Sequence, residues 1–255
     1  MQYKIVNQVV SMFSISCLML MMSISHAKTL STVTEPSLFQ PQSVATKSSS
    51  GYNPHVYYSQ GVDAYDIEDY DRAITIFTEL AKAGYVSAQY YLAVMHDSAV
   101  GVEEDHQQAA LWYQKAAHKN HAEAQYNLAI AYATGEGIGQ NMKKSIYWMK
   151  KSALQGNINA QYNLGLIYIL GSGVNVNEEE GVQWWTLAAK NGDTMAQYNL
   201  GMMYLQGKGV ESDICKASRW WQISAENGFT QSVLALQALK QQNLQLSCGG
   251  AISRR

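Results

Sequence analysis

From residue 54 onward, apolar side chains recur at helical spacing in short runs separated by glycine-containing breaks. Between Ala160 and Leu170, the residues Leu164, Ile167 and Tyr168 share one helical face, and Gly171-Ser172-Gly173 then interrupts the pattern. A second helix is expected from about Glu178 to Asn191, with Trp184, Leu187 and Ala188 on one face and Gly192 as its C-cap. The unit is therefore helix, loop, helix, short turn. A different pattern opens the chain: Lys4 precedes an apolar, Met- and Ser-rich run from Val9 to Ile24 that ends at Ser25-His26-Ala27. That run is shorter than the roughly 20 residues a membrane span needs, and small residues sit where signal peptidase cuts.

The helix pair repeats every 36 residues. Ala-Gln-Tyr recurs at Ala88-Gln89-Tyr90, Ala124-Gln125-Tyr126, Ala160-Gln161-Tyr162 and Ala196-Gln197-Tyr198. Trp112, Trp148, Trp184 and Trp220 keep the same interval, as do Ala81, Ala117, Ala153, Ala189 and Ala225. Gly-x-Gly with Ile or Val follows at Gly135-Gly137-Ile138, Gly171-Gly173-Val174 and Gly207-Gly209-Val210, with a degenerate Ala99-Gly101-Val102 in the first copy. Neither helix of a unit buries its apolar face alone, so neighbouring units must stack. Gly165 and Gly201, with Ala93 and Ala129 in register, remove bulk where paired helices cross, and the tryptophans spaced at 36 are expected to supply the large partner.

The motif Ala-x-Ala-Gln-Tyr-Asn-Leu-Gly-x-x-Tyr, then Gly-x-Gly-Val, then Ala-x-x-Trp and Ala-Ala-x-x-Gly, resembles the Sel-1-like repeat, a relative of the tetratricopeptide repeat with a longer internal loop. The resemblance covers residues 86–228 as four tandem copies. Residues 54–85, with Gly61-Val62-Asp63-Ala64-Tyr65 leading to Asp69-Tyr70-Asp71-Arg72-Ala73-Ile74, resemble an ordinary tetratricopeptide unit without the insertion. The expected fold is all-α: an α-solenoid of stacked antiparallel helix pairs closed by a capping helix over 229–242, with a tail over 243–255.

Composition adds an export reading. All three prolines (Pro36, Pro41, Pro54) lie before residue 55, and residues 28–53 are Ser/Thr/Pro/Gln-rich, as expected of an unpacked spacer after a signal peptide, 1–27, cleaved behind Ala27. The mature protein is then periplasmic or secreted, with no stable membrane span. An uncleaved anchor, or a lipoprotein at Cys17, is the alternative. Without Cys17 the remaining cysteines are Cys215 and Cys248, whose disulfide would close a 33-residue loop worth on the order of 3–4 kcal/mol in the chain-entropy model.

Candidate chemistry is sparse. A serine β-lactamase needs Ser-x-x-Lys, and that motif occurs only at Ser25-His26-Ala27-Lys28, across the expected cleavage site. His118 and His121 with Glu123 have metal-like spacing but fall in the turn between two units, where they are expected to face water. No catalytic residue, metal or cofactor follows from the sequence. A net charge of −2 gives no support to nucleic-acid binding. The charge is nonetheless polarised, with 11 acidic and 4 basic residues over 52–123 and 8 acidic and 11 basic over 124–255.

These readings leave a partner-binding surface. First helices line the inner wall of a stacked array, and Asn127, Asn163 and Asn199 repeat there, with Tyr91 in the corresponding first slot. Such an amide ladder either pairs with an extended peptide backbone or bonds one unit to the next. In the related tetratricopeptide proteins an Asn at the similar helix position contacts bound peptide. Trp185 and Trp221, each one residue beyond the tryptophan track and so about 100° around the helix, are the aromatics expected to face a partner. The expected function is a non-catalytic protein- or peptide-binding adaptor of the bacterial cell envelope. A competing class is a peptidoglycan-related protein that binds muropeptides or β-lactams, or hydrolyses β-lactams weakly.

Overall fold

The computed structural model describes residues 53–241. The expected leader, nearly all of the spacer, the C-terminal tail and Cys248 lie outside them. The described residues form eleven helices and no strand. They are α1 (Pro54–Asp66), α2 (Tyr70–Lys82), α3 (Val86–Asp97), α4 (His106–His118), α5 (Ala122–Thr134) and α6 (Met142–Leu154). The remainder are α7 (Ile158–Leu170), α8 (Glu178–Lys190), α9 (Thr194–Gln206), α10 (Ile214–Glu226) and α11 (Thr230–Gln241). Each helix packs chiefly on the next one in the chain, which makes the array an all-α solenoid. Odd-numbered helices up to α9 are the first helices of units and even-numbered ones the second.

Short polar residues start the helices and glycines end the first ones. Asp105, Asn141, Asn177 and Asp213, spaced at 36, cap α4, α6, α8 and α10 by accepting backbone N–H groups through their side chains. Asn53, expected in the spacer, caps α1. Gly135, Gly171 and Gly207 close α5, α7 and α9 in the left-handed conformation. The second glycine of Gly-x-Gly serves another purpose: a Cβ on Gly137 would strike the His106 carbonyl, and one on Gly209 that of Glu178, each at the start of the preceding unit's second helix. The first unit has no such loop, since α2 begins at Tyr70, shortly after Asp66.

The large partner of the small residues is not the expected tryptophan track. Trp185 is 5% exposed and Trp221 0%, and their indole N–H groups donate to the Tyr162 and Tyr198 carbonyls at 3.1 and 3.0 Å. A Cβ built on Gly165 would land on Cδ1 and Nε1 of Trp185, and one on Gly201 on the same atoms of Trp221. The core slot therefore lies one residue later and reads Phe77, Tyr113, Met149, Trp185 and Trp221, all buried. Trp112 and Trp148 are buried at its edge, while Trp184 and Trp220 are half-buried. On α8 Leu187, expected inside, is exposed, whereas Ala188 is buried as expected, along with Val182 and Ala189. Each crossing sets a small residue against a large one: Gly61 with Phe77 and glycine with tryptophan twice, with Ala93 and Tyr113, and Ala129 and Met149, in the corresponding slots of the repeat. A small residue opposite a large one lets the helices cross closely without a void.

A buried glutamine joins successive units. Nε2 of Gln89, Gln125, Gln161 and Gln197 donates to the carbonyls of Ala81, Ala117, Ala153 and Ala189 at 3.1, 3.1, 3.0 and 3.0 Å. Each alanine ends the second helix of the preceding unit. In three copies the glutamine Oε1 accepts from an amide in the turn after its own unit's second helix: Gln155 at 2.7 Å, Asn191 at 3.0 Å and Asn227 at 3.4 Å. In the first copy that position is Lys119, whose Nζ donates to the Gly84 carbonyl at 2.7 Å, and Oε1 of Gln89 is buried without a partner.

Two stability tests follow from these joints. Lys119→Asn should give Gln89 its missing donor and stabilise the protein by about 1 kcal/mol, read as a thermal midpoint about 2–4 °C higher. Gly165→Ala should destabilise by about 1–3 kcal/mol through overpacking against Trp185. Combining it with Trp185→Met, which copies the Ala129 and Met149 pair, should recover much of that loss. A double-mutant cycle with no coupling would contradict the size pairing.

Candidate protein-binding face

The first helices of α3, α5, α7 and α9 stand side by side, and their common face carries Tyr90, Tyr126, Tyr162 and Tyr198 with Asn127, Asn163 and Asn199. Tyrosine and asparagine meet across the joint between units. Asn163 Nδ2 donates to the Tyr126 hydroxyl at 3.2 Å, and Asn127 hydrogen-bonds the hydroxyls of Tyr90 and Tyr113. Burial pushes the Tyr126 phenol above its ordinary pKa, against the opposing pull of the Asn163 amide. The rung at Asn127 is further tied down, since Tyr113 also donates to the Asp97 carboxylate at 3.2 Å. The asparagines are half-buried, as is the apolar line Ile130, Leu166 and Met202 that follows them one turn later. The ladder is therefore at least in part an inter-unit hydrogen-bond system, laid along a surface of phenol, amide and aliphatic groups.

The remaining expected site residues fall elsewhere. Tyr91 belongs to an aromatic cluster at the start of the array, stacked on Phe77 with ring centroids 4.8 Å apart and edge-on to Tyr65 at 5.6 Å. Trp185 and Trp221 are core residues, as their contacts with Gly165 and Gly201 require. Cys215 on α10 is exposed and disulfide-bonded, and Cys248 lies outside the described residues.

His118 is exposed as expected, and its Nδ1 lies 2.7 Å from the Gln114 carbonyl, whereas the His121 side chain is largely covered, at 14% exposed, instead of facing water. His121 caps α5: its Nδ1 accepts from the Ala124 N–H at 3.3 Å, and its ring stacks on Tyr90 at 4.7 Å. Asn157 and Asp193 cap α7 and α9 from the same position of the repeat. Among the described residues no group of three His, Cys, Asp or Glu side chains is placed to hold a metal ion, and no helix is long and apolar enough to cross a membrane. Sequence reading passed over both the buried glutamine and the capping histidine. A polar residue recurring unchanged between an alanine and a tyrosine in every copy was the available signal for the glutamine.

An α-solenoid of this kind, with a loop of Gly-x-Gly type inside each helix pair, defines a class of helical-repeat scaffold. The chain belongs to the Sel1 repeat family, whose profile matches residues 86–121, 122–157, 158–193 and 194–229. Repeats of this family generally act as non-catalytic scaffolds for protein interaction. The chain is similar to a Sel1 repeat protein from Oxalobacter formigenes, with 30% identity and a TM-score of 0.66 over 71% of this chain and 74% of that one. It is also similar to c5321, a protective antigen present in uropathogenic Escherichia coli strains that displays an SLR fold, with 30% identity and a TM-score of 0.71. That match covers 73% of this chain but only 41% of the antigen. A comparison with curated proteins finds no match in sequence.

Burial holds the His121 imidazole below its ordinary pKa of 6.5, against the opposing pull of the Glu123 carboxylate. On acidification the unfolded chain takes up this proton first. The contribution to stability is thus complete above pH ~6.5 and is lost as the pH falls below that value. His121→Asn, which copies Asn157, caps the helix without titrating. Thermal melts of the variant should lose less stability than wild type between about pH 7 and pH 5, and parallel curves would contradict the assignment.

Proposed function

We infer that this protein is a non-catalytic scaffold of the bacterial cell envelope that holds an extended protein segment along the first-helix face. The observation that carries the reading is the recurrence of one phenol, one amide and one aliphatic side chain in register on adjacent first helices, the amides and aliphatics half-buried and the phenol of Tyr162 buried. An extended strand advances about 3.3 Å per residue and adjacent helices lie about 10 Å apart, so successive rungs meet every third residue of a bound segment. Amide oxygens and nitrogens offer such a segment both acceptors and donors.

Export, with cleavage behind Ala27 and a periplasmic or secreted mature chain, agrees with the disulfide at Cys215, because such bonds persist in oxidising compartments. The antigen character of the similar Escherichia coli protein points the same way. Cys248 is the proposed partner of Cys215. The Ser-x-x-Lys motif sits in the expected leader, so the array itself offers no β-lactamase nucleophile of that type.

Asn127→Ala, Asn163→Ala and Asn199→Ala together should abolish capture of the bound segment from envelope extracts. Each lost inter-unit bond costs about 0.5–1.5 kcal/mol, so the melting temperature falls while the helical circular dichroism spectrum at room temperature persists. Unchanged capture would sink the face as the binding site, and loss of the helical spectrum would assign the asparagines to stacking alone. Turnover of a chromogenic β-lactam by the purified protein would overturn the non-catalytic reading.

A further inference from the structure

The outer side of the second helices carries a surface that the first-helix face does not use. On α6, Lys143, Tyr147, Lys151 and Leu154 follow one another at helical spacing along the solvent side, with Tyr147 53% and Leu154 76% exposed. Leu111 and Lys115 on α4 and Leu187 and Lys190 on α8 continue the ridge to either side, and both leucines are exposed. Two of its cations lie over rings: Lys115 Nζ lies 3.6 Å from the Trp112 ring centroid, and Lys151 Nζ lies 5.1 and 5.3 Å from those of Tyr147 and Trp148. The lysine–carboxylate ion pairs among the described residues are Lys150–Glu180 and Lys216–Asp213, so the ridge lysines keep their charge available. Exposed aliphatic and aromatic groups between ammonium groups suit an acidic segment with an apolar anchor.

The same chain presents such a segment in its first unit. The α1–α2 turn reads Asp66-Ile67-Glu68-Asp69, with Asp63 and Asp71 on the flanking helices. Ile67 at its tip is 72% exposed, and Glu68 takes a left-handed φ of 63°, which turns the backbone sharply there. An isoleucine raised on an acidic turn matches a leucine and a tyrosine set among lysines in both polarity and charge.

We propose that the acidic α1–α2 turn of one copy docks, through Ile67, on the lysine–aromatic ridge of α6 in a second copy, joining the chains head to tail. The contact is heterologous, so each chain keeps one free turn and one free ridge, and assembly continues into rings or longer chains. Charge complementarity makes it strongest at low ionic strength. It is independent of the first-helix face and stands or falls separately.

Sedimentation velocity of the purified protein tests this. Species heavier than the 28.3 kDa chain should populate at low salt and dissociate as salt rises from about 0.02 M to 0.3 M. Ile67→Ser with Glu68→Gln removes the turn's anchor, and Lys143→Gln, Lys151→Gln and Leu154→Ser together remove the ridge. Each variant alone should associate at least about tenfold more weakly, with an unchanged helical spectrum. An equal mixture of the two retains one intact turn and one intact ridge and should form a dimer that grows no further. A protein that is monomeric at low salt overturns the proposal, even if an unrelated acidic peptide binds the ridge. So does association that either variant leaves intact, or a mixture that stays monomeric, which would indicate a two-fold contact.

Discussion

A solenoid has no central core, and what holds this one in register is a side-chain amide buried at every joint. The glutamine of Ala-Gln-Tyr is enclosed where three helices meet, and its amide must find both a donor and an acceptor there or leave a desolvated polar atom. It finds the end of the preceding unit's second helix with its nitrogen and the turn of its own unit with its oxygen. A unit displaced by one residue would strand both bonds. Hydrophobic stacking alone tolerates such slippage, so the amide supplies the directional part of the joint, and the small-to-large pairs fill the space beside it.

The repeat was legible in the sequence because identity recurs at 36, and the helix pairs because glycine loops divide helical runs. The faces of the second helices were not, for a definite reason. Tryptophan recurs in the slot of Trp112, Trp148, Trp184 and Trp220, which lies in the furrow between neighbouring second helices, where His118 meets the Trp148 ring edge-on at 5.0 Å. The core slot next to it changes from phenylalanine to tyrosine to methionine to tryptophan, each buried in the position that faces a glycine or alanine of the first helix. Recurrence of one residue type thus marked the furrow, whereas the core slot keeps its bulk without keeping a residue type.

The binding face was legible in part. Its asparagines lie on adjacent first helices as their spacing implied, but the hydroxyls they meet come from tyrosines in the preceding unit, a pairing 37 residues apart that a single-unit reading misses. His121 shows the opposite difficulty. Its role is set by a position that asparagine and aspartate fill in the next two units, so chemistry unlike theirs concealed a shared cap.

The size pairing and the glutamine joint together decide where this array is divisible. Between α7 and α10 the glycine–tryptophan crossings are the same twice over, and the amide partners of Gln161 and Gln197 are both asparagine. A whole unit gained or lost there by recombination would meet a neighbour whose joint it already fits. At the N-terminal end the Lys119 turn and the tyrosine beside Ala93 make each junction individual. The reach of the scaffold is therefore adjustable in steps of one helix pair at one end only, leaving the acidic first unit as a fixed head.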